Sequence, residues 1–100
     1  MIIDKLNNAL GITDEWLNRG AKMIVSSSPE EALIGEYYLV MYRYFQIKKM
    51  LYRWDEISYK NQDLLPGCSK DVVMKQLEIL ERYKNILERR AVEDDTDLLI

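Results

Sequence analysis

Apolar positions along the middle of the chain recur at alternating spacings of four and three: Leu33, Tyr37, Val40, Tyr44, Ile47, Leu51 and Trp54. That is the heptad rhythm of a helix laid against another helix. No proline interrupts residues 30–61. The pattern therefore predicts one helix over 29–61, about nine turns and roughly 50 Å long. Its start is marked by Ser28-Pro29-Glu30-Glu31, where serine caps, proline takes the first helical position and Glu31 can close a capping box.

The same reading extends to either side. Ile2, Ile3, Leu6, Ala9 and Leu10 predict a short helix over 2–10, stopped by Gly11. Thr13 reads as the cap of a second helix over 13–25, with Asp14 and Glu15 in its first turn. Trp16, Leu17, Ala21, Ile24 and Val25 are its expected inward face. Gly20 stands inside it at a cost of about 1 kcal/mol against alanine; close helix packing is the expected reason. Gln62 to Cys68 form a break around Pro66-Gly67. Ser69 then caps a last helix over 69–92, with Cys68 and Val73 placed for a hydrophobic staple. Its expected inward positions are Val73, Leu77, Leu80, Tyr83, Leu87 and Ala91, and an acidic tail occupies 93–100.

A short break between two long helices implies an antiparallel hairpin in which paired positions sum to about 130. That register sets Lys49 near Glu81 and Arg53 near Glu78, opposite charges flanking the seam. The expected fold is all-α: a single domain over 1–100, built on a long hairpin with two short N-terminal helices packed against its upper half.

The architecture limits the core. The chain has 100 residues, 48% of them hydrophobic, and a net charge of −3. A domain of that size buries only about two thirds of its unfolded surface, and an elongated one buries less, which favours partners. The acidic balance gives no bulk attraction to nucleic acid or anionic lipid. No apolar run reaches the roughly 18 residues of a membrane span, and the start, with Asp4 and Lys5, does not read as a signal peptide. One cysteine excludes an internal disulfide and fits a reducing compartment. The expected location is the cytoplasm, of the producing cell or of an infected host cell.

Chemistry is sparse. There is no histidine, which removes the commonest general base and metal ligand. Gly11, Gly20, Gly35 and Gly67 are scattered and cradle no phosphate. Cys68 precedes a helix start, where a thiol pKa can fall, though a staple residue is the plainer role. Asp94, Asp95 and Asp97 lack the glycine and distal glutamate of a calcium loop. No enzyme activity, cofactor or metal is expected.

Surfaces carry more. The chain has seven tyrosines and two tryptophans, residues enriched at interfaces. Tyr37, Tyr38, Tyr42, Tyr44, Tyr52 and Trp54 surround one helix, so either the upper half is central and wrapped by its neighbours or part of it is an interface. In the lower half, Met50, Trp54 and Ile57 of one arm and Tyr83 and Ile86 of the other have no N-terminal helix to cover them. They form the expected protein interface, as a homodimer or for a foreign protein. Residues 43 to 53 hold Arg43, Lys48, Lys49 and Arg53 with no acid, interleaved with Tyr52 and its neighbours. This is the local signature of nucleic-acid binding, although Glu78 and Glu81 are placed to neutralise it.

In architecture, a small acidic helical bundle with a long hairpin resembles bacteriocin immunity proteins and small phage accessory proteins. No shared motif accompanies the likeness, and no residue role is carried over. The expected function is a non-enzymatic interaction module, a small phage or mobile-element accessory protein acting as inhibitor or assembly adaptor. A nucleic-acid-binding regulator using the band 43–53 is one alternative, and a bacteriocin-immunity-like helical bundle is the other.

Overall fold

The computed structural model describes residues 14–98. The expected helix over 2–10, the stop at Gly11, the cap at Thr13, the side chain of Trp16 and the last two residues lie outside that description.

Among the described residues the fold is all-α. Helix α1 spans Asp14–Ile24, α2 Pro29–Tyr52 and α3 Trp54–Lys60. A 3₁₀ turn over Gln62–Leu64 leads to α4, Lys70–Glu93. The molecule measures 46 × 24 × 21 Å, long in one direction as the heptad pattern requires.

The caps follow the sequence. Ser28 has extended backbone, and its hydroxyl accepts from the Glu31 amide at 3.4 Å. The return half of the box is relayed. Ser28 N–H donates to Ser26 Oγ at 3.1 Å, and that hydroxyl donates to Glu31 Oε2 at 2.9 Å. Ser69 caps α4 by accepting from the Val72 amide at 3.3 Å. Cys68 is exposed while Val73 is buried in the core.

α4 ends in a Schellman motif. Thr96 N–H donates to the Ala91 carbonyl at 2.8 Å and Asp95 N–H to the Val92 carbonyl at 3.3 Å. Asp95 takes the left-handed conformation this requires, with φ at 54°. The chain then turns back, and Leu98 packs against the core.

The core is the upper half of α2 with its neighbours. Leu33, Ile34, Tyr37, Tyr38 and Val40 are buried there with Leu87 and Ala91 of α4. Met23, Met41 and Leu80 pack around them. Tyr37, Tyr38 and Tyr44 are thus core residues, whereas Tyr52 is exposed. Below, Ile47 and Val73 are buried.

α1 packs on α2 through glycine. A β-carbon on Gly35 would lie 2.8 Å from the Met23 carbonyl carbon and 2.9 Å from the Gly20 oxygen. This fits the close packing expected of Gly20. It also corrects the expected inward face of α1. Leu17, Ala21, Ile24 and Val25 are exposed, while Gly20 is buried and Met23 packs on the core. The contact is made by glycine backbone, which the spacing of large apolar side chains does not mark.

Two further expectations are corrected. The helix over 29–61 is interrupted at Arg53, which has ψ near 10°. The hydrogen-bond ladder still crosses the break, with Arg53 N–H reaching the Lys49 carbonyl and Ile57 N–H the Arg53 carbonyl. No proline or glycine marks the spot. The cross-helix register also differs from the expected one. Tyr37 meets Glu88 at 2.6 Å, Arg90 meets Glu36 at 3.7 Å and Lys70 meets Asp55 at 3.9 Å. These pairs lie about one helical turn away from a sum of 130. The expected Arg53–Glu78 pair is replaced by two local ones, Arg53–Glu56 at 3.4 Å and Arg82–Glu78 at 2.7 Å.

Candidate docking surface

α4 carries two apolar stripes. The first, through Val73, Leu80, Leu87 and Ala91, turns into the core. The second runs through Val72, Ile79, Tyr83 and Ile86, spaced seven, four and three, a quarter-turn or more around the same helix. Its members are 53%, 58%, 39% and 59% exposed. A surface that open on four neighbouring apolar side chains is the kind of patch that marks contact sites.

α2 supplies the inner wall. The Tyr83 hydroxyl donates to Glu36, and Arg90 reaches the same carboxylate. Glu36, Arg43 and Met50 stand at heptad spacing and share that side of α2. Glu36 thereby joins α2 to the upper end of the stripe.

The sequence-predicted interface residues divide in two. Tyr83 and Ile86 belong to the open stripe. Met50, Trp54 and Ile57 are half-buried. Trp54 lines an open cleft of about 490 Å³ with Ser58, Leu65, Pro66 and Cys68, so the turn of its own chain partly covers it. Val72 and Ile79 are additions. Their heptad spacing with Ile86 was readable in the sequence, but the inward row one residue further on is stronger and took the assignment.

The basic-aromatic band is less available than its composition implies. Arg43 donates to Gln46 at 3.2 Å, and Arg53 pairs with Glu56. Lys48 sits over the Tyr44 ring at 5.5 Å, and Lys49 is half-buried. Tyr52 is exposed. Arg53 also holds the Glu56 carboxyl below its usual pKa, mainly by its hydrogen bond, with Lys60 a smaller contributor.

The buried polar pair lies in the upper half. The Tyr37 hydroxyl donates to Glu88, whose other oxygen accepts from Lys84 Nζ at 3.3 Å. Burial first, then the Glu88 carboxylate, pushes the Tyr37 pKa up.

Among the described residues, no three acidic or cysteine side chains converge on a metal position. None of the described helices is long and apolar enough to cross a membrane. No known protein family, curated protein or solved structure matches the chain.

Proposed function

We propose that this chain is a non-enzymatic protein–protein interaction module, a small accessory protein that works by docking on another protein. The observation that carries the reading is the second stripe of α4. A helix whose first apolar face is already in the core presents Val72, Ile79, Tyr83 and Ile86 to solvent, and apolar area removed from water there favours association at about 25 cal/mol per Å². The cross-helix contacts Tyr37–Glu88 and Lys70–Asp55 support an antiparallel hairpin as the frame. Such a frame holds the stripe rigid along most of one side. Inhibition or assembly by a phage or mobile-element factor in the cytoplasm is the setting that suits a domain of this size and charge. A homodimer through the same face is the alternative occupancy.

The test is one double variant read two ways. Ile79→Ser with Ile86→Ser changes only exposed positions, so circular dichroism should match wild type. Affinity capture from producing cells should then recover one polypeptide at stoichiometric yield with wild type and lose it with the variant. Sedimentation equilibrium at high micromolar concentration reports a second copy separately. Identical recovery by both proteins, with both monomeric, overturns the reading.

Nucleic-acid binding has narrower support. Lys48 and the exposed Tyr52 stand one turn apart on α2 and could stack and neutralise a single strand. A retarded complex that dissolves steeply with added salt and is weakened by Lys48→Ala would favour it.

A further inference from the structure

We draw no further inference here: the strongest candidate, the exposed apolar stripe along α4 from Val72 to Ile86, has a flank on which Lys75, Arg82 and Arg89 are offset by Asp71, Glu78 and Glu93, and nothing in the structure shows what covers it.

Discussion

The carbonyl oxygen of Gly20 lies 2.9 Å from the point where a β-carbon on Gly35 would sit, and the Gly35 carbonyl lies 3.1 Å from the matching point on Gly20. Two helices cross with their backbones touching. The crossing is asymmetric, because Gly35 also faces the backbone of Met23 and Ile24, whereas Gly20 otherwise faces the side chain of Leu39. A backbone cannot yield; a leucine can. Gly35→Ala should cost about 2–3 kcal/mol through overpacking. Gly20→Ala gains about 1 kcal/mol of helix propensity against the contact and should end within about 1 kcal/mol of wild type. Urea denaturation of both variants checks the order, and equal losses would place the tight point elsewhere.

Tyr37 makes a pH prediction. Its neutral hydroxyl donates to Glu88 from a buried site, which raises its folded pKa above the unfolded value of about 10. The folded state therefore holds the proton longer than the unfolded state. The contribution is complete below about pH 10 and is lost as pH rises beyond it. Tyr37→Phe should cost about 1–2 kcal/mol at neutral pH. The gap from wild type should narrow above pH 10 in a series of thermal melts. Parallel curves would mean that the hydroxyl is not held neutral by the fold.

Asp95 offers a stabilising change. It occupies a left-handed conformation with φ at 54° at the end of α4, where a β-carbon costs about 1 kcal/mol or more. Asp95→Gly should raise stability by about 0.5–1 kcal/mol, since glycine is the preferred residue at this point of a Schellman motif. A calorimetric melting temperature that falls instead would show the carboxylate to be doing something the backbone geometry does not explain.

What the sequence made legible was local chemistry. Ser28-Pro29 and Ser69 set helix starts because capping needs only neighbours in the chain. The glycine at position 20 could be assigned to close packing because nothing else justifies its cost. The partner glycine was not paired with it, since that requires knowing which face of α2 meets α1. The cross-helix register slipped by about one turn because a heptad repeat fits equally well against itself when moved along. Charge pairing does not fix it, because Arg53 and Glu78 have closer partners within their own helices. The break at Arg53 had no signal at all. In the candidate surface, Tyr83 and Ile86 are readable as uncovered and Trp54 as half exposed, but the 61–68 turn beside Trp54 is not.

The interruption at Arg53 divides the molecule mechanically. Beyond it, α3 and the 3₁₀ turn contain no buried residue, so little apolar contact is lost when they detach. Segments of that kind open sub-globally at a small fraction of the global unfolding free energy. The segment stays joined to α2 by the backbone hydrogen bonds that cross Arg53, and the exposed Lys70–Asp55 pair reaches from it to α4. Proteolytic nicking between residues 61 and 68 would therefore report opening of this segment before the rest of the bundle unfolds.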